Sequence, residues 1–469
     1  MLVLGLAACS STPRYERPTI PAPDQFKEGV AFKRAEPSVA EVPRQWWLLW
    51  GDPVLTDLQS RAQVGNANLQ ASAAAVAMAQ AAVASSRAAL WPTLNLGAGV
   101  TRSSSASATT TASGGVSRAL TSYSVQAAMS SWEIDVWNRL GAQVDSATAS
   151  LQASRDDLAA AQLSLEATLA QTYFSLRAAE AQVALLDRTV QAFKRSVDVT
   201  RNRYQAGVAS SADVAQAQSQ LKSAQAQQVE ARLSRAQLEH ALATLVGAAP
   251  AAFSLSGTAV LPPAPTPPLQ LPSTLLERRP DIAAAERRVA AANARIGAAD
   301  AAFFPAITLS ASTGFASLSL ANLLKSASNF WSIGPSLLWA AFDGGARRAA
   351  SDSARASYDQ AVALYRQTVL TAFQEVEDNL AATALLDQEA TIQQEALAEA
   401  RKSLDVTLNQ YKAGTVSFIN VVTAQATALS AETTLLNVQN RRLTATATLL
   451  KNIAGRWDDG RASADAVTR

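Results

Sequence analysis

One motif of this chain occurs twice, and the spacing of its copies constrains the fold more than any other feature. Lys194-Arg-Ser-Val-Asp-Val-Thr200, followed by Tyr204-Gln-Ala-Gly207, returns 207 residues later as Arg401-Lys-Ser-Leu-Asp-Val-Thr407 and Tyr411-Lys-Ala-Gly414. Ala217-Gln218 matches Ala424-Gln425 at the same offset, and Trp91-Pro92 matches Phe304-Pro305. Ala184-Leu-Leu-Asp187 and Ala384-Leu-Leu-Asp387 lie 200 apart, so the second copy carries one extra heptad before its turn motif. A duplication of this size makes each copy a structural unit built to sit beside the other. The copies span 54–247 and 273–455. Between them, 248–272 holds Leu261-Pro-Pro-Ala-Pro-Thr-Pro-Pro268, whose proline density ends any helix. Residues 456–469 form a C-terminal tail.

Each copy has the same internal order. A helix comes first, 67–90 or 280–303, the second opening Arg279-Pro280-Asp281 with Pro at the first helical position and Asp near the positive helix end. That motif is read as structural. The period then changes to two. Leu94, Leu96, Ala98 and Val100 alternate with Asn95, Gly97, Gly99 and Thr101. Ile307, Leu309, Ala311, Thr313 and Phe315 oppose Ala306, Thr308, Ser310, Ser312 and Gly314. Tyr123–Met129 and Trp331–Trp339 give two more stretches, so four half-exposed strands are expected. Each copy closes with a helical hairpin. The first arm, 137–205, places Val183, Leu186, Val190, Phe193, Val197, Thr200 and Tyr204 at spacings of three and four, the coiled-coil signal. At 1.5 Å per residue such an arm is ~100 Å long, as is 345–411. Helices of that length must pack side by side with others. Returning arms cover 211–247 and 418–454.

Composition removes several function classes. Of 469 residues 48% are apolar, yet no run reaches the ~20 that a spanning helix needs. Lys and Arg number 40 against 38 Asp and Glu, which leaves no electrostatic footprint for nucleic acid. One His and one Cys supply neither a disulfide nor a zinc cluster. His240 has no partner His or Cys. Glu375, Glu377 and Asp378, like Arg347 and Arg348, read as solvated or inter-helix charges. With no phosphate loop and no nucleophile motif, neither an enzyme nor a metal or cofactor site is expected.

The N-terminus points to an envelope. Residues 1–8 look like the remnant of a signal peptide, and Leu6-Ala7-Ala8-Cys9 resembles a bacterial lipobox that would leave Cys9 carrying covalent lipid. The other reading of Cys9 is a buried thiol in a short apolar strand. Residues 9–53 are expected as a lipid-anchored N-terminal segment, of which 12–53 reads as Pro-rich and irregular, ending in Trp46-Trp47-Leu-Leu-Trp50-Gly-Asp-Pro53. The four strands could form a small soluble sheet. Their ~10-residue length and single apolar face instead suit tilted membrane strands, with Trp91, Trp132, Trp331 and Trp339 at the interfacial girdle. Four strands cannot close a barrel, and an open edge in lipid leaves backbone groups unpaired. A dimer would give eight strands with a filled interior. A trimer gives twelve and leaves a lumen, and is the expected assembly.

With Cys9 and Tyr15-Glu-Arg-Pro18, Trp46-Trp47 before Asp52-Pro53-Val-Leu55, Glu277-Arg-Arg-Pro-Asp-Ile282, Phe342-Asp-Gly-Gly345, Val376-Glu-Asp378 and the paired Tyr-x-Ala-Gly turns, the chain resembles the TolC-like outer-membrane efflux factors, in their lipoprotein, OprM-like branch. The resemblance implies an α+β membrane protein: a trimeric twelve-stranded β-barrel continued by a periplasmic twelve-helix α-barrel, with an equatorial domain. It implies a passive duct for small toxic compounds, working with a periplasmic adaptor and an inner-membrane, commonly proton-driven transporter, lipid-anchored in the bacterial outer membrane. By the same resemblance the hairpin tips meet the adaptor: Tyr204, Gly207, Val208, Ala209 and Ser210, then Tyr411, Gly414, Thr415, Val416 and Ser417. Both glycines also read as ordinary helix C-caps. Relatives place Asp rings at the periplasmic aperture; here those positions hold Asn420 and Thr423, with Asp213 matching Asn420 in the first copy. Asp213 is either a ring of three carboxylates or a helix-start residue. The rival reading is a periplasmic adaptor lipoprotein, which should show a single hairpin.

Overall fold

The structure is a computed structural model that describes residues 13–19, 26–27, 44–104, 119–258, 260–265 and 279–453. The signal remnant 1–8, Cys9, Glu277 and the tail 456–469 lie outside the described residues. The fold is α+β. A 3-10 helix, Trp46–Trp50, precedes α1 (Pro53–Gly65), α2 (Ala67–Ala88), β1 (Leu94–Ser104), β2 (Ala119–Glu133), α3 (Arg139–Gln205) and α4 (Ser211–Leu245). Then follow α5 (Pro280–Ala301), β3 (Ala306–Ser317), β4 (Asn329–Leu338), α6 (Ala346–Ala413) and α7 (Phe418–Ile453). Among the described residues no helix is long and apolar enough to cross a membrane.

Two compact units emerge, and both draw on each repeat. The first holds 75–155 and 284–365 with the segment 13–19. Its core element is a four-stranded antiparallel sheet in the order β1-β2-β3-β4, so β2 and β3 join the two repeats. Register places one kind of side chain on each face. Val100 lies opposite Tyr123, Ala98 opposite Val125, Leu96 opposite Ala127 and Leu94 opposite Met129. The row continues through Val125–Phe315 and Met129–Ala311 to Ala311–Ile333 and Ile307–Leu337. Directly paired residues share a face, so the apolar sets of all four strands form one continuous surface. The other face carries Gly97, Thr101, Ser124, Gln126, Ser310, Ser312 and Ser332.

A bulge between Met129 and Trp132, with Ser131 at φ 53°, shifts the register by one residue. Strict alternation would send Trp132 to the polar face. The bulge pairs it with Leu309 instead and returns it to the apolar one. Among the described residues the sheet's two edges, β1 and β4, have no further strand beside them, and every residue of β1 is exposed.

Tryptophans tie strands to the segments that flank them. Trp132 Nε1 donates to Leu90 O at 3.1 Å, Trp339 Nε1 to Phe303 O at 3.2 Å, and Trp137 Nε1 to Pro305 O at 2.8 Å while its ring stacks on Phe304. Sharp turns lead into α3 and α6. Asp135 accepts from Gly141 N, and Asp343 from Gly345 N, Arg347 N and Arg347 Nε, with Gly344 and Gly345 both at positive φ. The segment 13–17 lies along α5 and α6: Asn293 Nδ2 donates to Pro13 O, Tyr15 hydroxyl to Glu286, and Arg17 Nε to the Tyr365 hydroxyl.

The second unit holds 156–283 and 366–453 with residues 44–74. Of the expected α3 seam Leu186, Val190, Phe193, Val197 and Thr200 are buried, Val183 is half-buried and Tyr204 is exposed. Residues 46–50 are not irregular, as the sequence suggested, but a 3-10 helix whose Trp46, Trp47 and Trp50 are buried, Trp50 against Phe174. Asp52 caps α1, accepting from Val54 N and Leu55 N, and also receives the Tyr173 hydroxyl. Leu55 and Leu58 complete this core at 0% exposure.

Candidate functional site

The two helical turns of the second unit are the places where the duplicated motif meets solvent. Both reverse through a left-handed glycine, Gly207 at φ 76° and Gly414 at φ 80°, a conformation any Cβ would strain. In the first turn Val208 N reaches Arg203 O, and in the second Thr415 N reaches Gln410 O, the backbone signature of a glycine-ended helix.

Beyond that the turns differ. Ser210 Oγ accepts from Asp213 N while Asp213 Oδ2 accepts from Ser210 N, a complete capping box. Asp213 therefore serves the start of α4. In the second turn Asn420 stands where that carboxylate would be, and the Ser417 side chain makes no matching bond. Asn420 and Thr423 line a polar hollow with Ser403, Thr407 and Thr427, which holds no charged side chain.

The matched tyrosines also part company. Tyr204 is 49% exposed, whereas Tyr411, expected at a partner surface, is 6% exposed. Tyr411 packs on Phe418 at 5.4 Å within a cluster of Val197, Ala217, Val421 and Val422, against which Val416 also lies. Arg203 binds the two turns together. Its guanidinium sits 4.8 Å over the Tyr411 ring, and Nη1 donates to Lys412 O at 3.2 Å. What the tips present to solvent is Tyr204, Gly207, Val208, Ser210, Gly414, Thr415 and Ser417, with Ile419 added by the structure; Ala209 is half-buried. Above the second turn an apolar groove runs between α3 and α6, floored by α7 and walled by Phe193, Leu404 and Leu408, with Arg195, Arg401 and Lys412 at its rim.

Two buried polar knots hold the long helices higher up. Arg279, 7% exposed, forks onto Asp281 at 3.0 and 2.6 Å and extends Nη1 to Glu375 Oε2 and Asn452 Oδ1. Burial alone would raise the Asp281 pKa; the bonds and charge of Arg279 outweigh it and leave the carboxyl below its ordinary value. On α3, Glu166 is buried with its main-chain oxygen accepting from Gln59 and its Oε1 from Gln63 and Gln162. Burial pushes its pKa up from 4.5 to about 7, against those hydrogen bonds and the charge of Arg44. Arg279-Pro280-Asp281 reads as structural in the sequence and Glu375 as a solvated or inter-helix charge, but nothing local joins them to Asn452, 173 positions from Arg279, or marks Glu166 as buried.

Of the expected girdle, Trp91 precedes β1, and Trp132 and Trp339 stand at the helix-bearing end of the sheet, while Trp331 stands at the opposite end. Trp137 and Phe304, which the alternation did not reveal, stack at the helix-bearing end. A tryptophan outside a regular run gives no periodic signal.

Over residues 58–248 and 271–455 the chain matches the family described as outer membrane efflux protein. The chain belongs to that family. It is 32% identical over 467 residues to outer membrane protein OprJ of Pseudomonas aeruginosa, covering 98% of this chain and 96% of that protein. It is likewise 32% identical to the toluene efflux pump outer membrane protein TtgF of Pseudomonas putida, over 98% and 96% of the two chains. The solved outer-membrane channel OprN superposes with a TM-score of 0.87 at 28% identity, over 96% of this chain and 100% of that one. The protein is thus the outer-membrane duct component of an efflux system, and the adaptor reading is set aside.

Proposed function

We propose that three copies of this chain form a passive duct carrying small toxic compounds from the periplasm to the outside. The observation that carries this reading is the sheet: one face is apolar across all four strands, and both edges are unpaired. In hydrocarbon each open edge costs several kcal/mol per unpaired group. Pairing β1 of one copy with β4 of the next removes every edge, and three copies give a twelve-stranded barrel with a polar lumen. The hairpins then continue it as a twelve-helix α-barrel. A relative named for toluene efflux supports small toxic cargo.

The exposed tips around Tyr204, Val208 and Thr415 receive a periplasmic adaptor, which links the duct to an inner-membrane transporter that supplies the energy. The duct itself catalyses nothing. Opening requires the turns to separate, so the Arg203 ties to Tyr411 and Lys412 act as the latch. Cys9 carries the lipid. Pro13, four positions later, is held to Asn293, and four extended residues span at most about 14 Å. From Asn293 to Ala301, where α5 ends before β3, the rise is about 12 Å, so an anchor on Cys9 reaches the level of the strand ends.

Native mass measurement of detergent-purified protein tests the reading. A trimer that forms ion-conducting pores in planar bilayers is expected. A monodisperse single copy stable in plain buffer after delipidation would overturn it.

A further inference from the structure

The charges of the sheet are distributed unequally between its ends. At the helix-bearing end Glu133, Asp135, Arg139, Asp343 and Arg347 pair with one another or with backbone. At the other end, where β1 leads to β2 and β3 to β4, the charged groups among the described residues are Arg102 and Lys325, and there is no acid. Both are exposed, and neither side chain makes an ion pair or a hydrogen bond among the described residues. Arg102 continues the apolar row of β1: Leu94, Leu96, Ala98, Val100, Arg102. Its cross-strand partner is Thr121, and the next residue of β2 on that face is Tyr123.

An arginine on a lipid-facing surface costs ~2–4 kcal/mol at the bilayer midplane and ~0–1 near the interface. Eight residues beyond Leu94, on a strand tilted about 45°, Arg102 stands roughly 19 Å above it, at the far rim of the apolar band. That rim is where lipid headgroups lie. The β3–β4 connection, at the same end, adds Lys325 together with Leu318, Leu320 and Leu324, which are 63, 66 and 76% exposed. Arg102 lies on β1 and Lys325 on the β3–β4 connection, at the same end of the sheet.

We propose that this rim binds a phosphorylated lipid of the outer leaflet, Arg102 and Lys325 holding its phosphates, Thr121 and Tyr123 donating hydroxyls, and the exposed leucines meeting its acyl chains. Guanidinium and ammonium recognise phosphate through charge-assisted hydrogen bonds. Such a lipid supplies the counter-charge that the protein omits at this end. The inference rests on the sheet lying in a bilayer as described above.

The test uses the assembled protein in phosphatidylcholine nanodiscs containing either diphosphoryl lipid A or its dephosphorylated form, with retained lipid counted by native mass spectrometry. Preferential retention of the diphosphoryl form is expected. At ~1 kcal/mol per basic residue near a charged surface, Arg102→Gln and Lys325→Gln should each reduce retention about fivefold. Both positions are exposed, so folding is not at stake. Equal retention of both lipids, or unchanged retention by the double variant, would overturn the proposal. So would full displacement by millimolar inorganic phosphate, which would mark a site for free anions. Failure of the wild type to enter nanodiscs as a trimer would instead sink the duct reading, and the two failures are told apart by mass alone.

Discussion

The two repeats hold their long helices by different means, although they descend from one pattern. In the first, α3 is gripped by the N-terminal segment: the Trp46–Trp50 cluster, Asp52 on Tyr173, and glutamines on Glu166. In the second, α6 is tied through Glu375 to Arg279, which also holds Asp281 and Asn452, and through Ser351, Arg355 and Tyr365 to Asp300 and Arg17. The turns repeat this contrast. The first is closed by its own capping box and leaves Tyr204 outside; the second folds Tyr411 and Phe418 inward. Duplication copied the helices and turns. Divergence then left the Arg279 knot in the second copy, and a buried Arg177–Glu180 pair and the outward tyrosine in the first.

That comparison breaks first at Arg279. Arg279→Ala would remove the cation from Asp281 and Glu375 and should cost about 3 kcal/mol, since both carboxylates stay more than a third exposed, read from denaturant unfolding of the purified protein. A loss below about 1 kcal/mol would mean that the Arg279 knot adds little to the packing of the second repeat.

Glu166 gives the next effect, and it depends on pH. The folded chain binds this proton more tightly than the unfolded chain, so the contribution is full below pH 4.5 and is lost as pH rises through about 7. A shift of this size corresponds to about 3 kcal/mol between the two limits. Unfolding of the wild type should therefore weaken between pH 5 and 8 more than that of Glu166→Gln. Parallel pH profiles would remove the carboxylate from the first repeat's grip.

The turns supply the smallest effect. Ser210→Ala removes a complete capping box and should cost ~1 kcal/mol, while Ser417→Ala should stay within about 0.5 kcal/mol. Hydrogen exchange across residues 205–215 and 412–422 would resolve the two. Equal effects would show that the second turn relies on its serine as well.

Much of the fold was legible because periodicity is local. Heptads marked the α3 seam through Thr200, and alternation found the apolar rows of all four strands, since a side chain's face follows from counting residues. The Tyr-x-Ala-Gly motifs located both turns, because only glycine takes φ near 80° without strain. Tyr204 and Tyr411 occupy identical places in that motif, yet one is outside and one inside, and no count along the chain distinguishes them. The difference arises where Arg203 from one hairpin covers the Tyr411 ring of the other, and Val197 joins the cluster of Tyr411 and Phe418.

By itself, then, the sequence determined the duplicated helix-strand-strand-hairpin order, the apolar face of every strand and the positions where the chain reverses. These depend on dihedral preferences and on the repeat lengths of helix and strand. Tertiary structure decided which strands adjoin, how a bulge returns Trp132 to the apolar face, how residues 46–50 become a buried core, and which tyrosine faces outward. Apart from the β1–β2 and β3–β4 hairpins, those outcomes depend on partners a hundred or more residues away, whose meeting is set by packing and charge neutralisation in three dimensions.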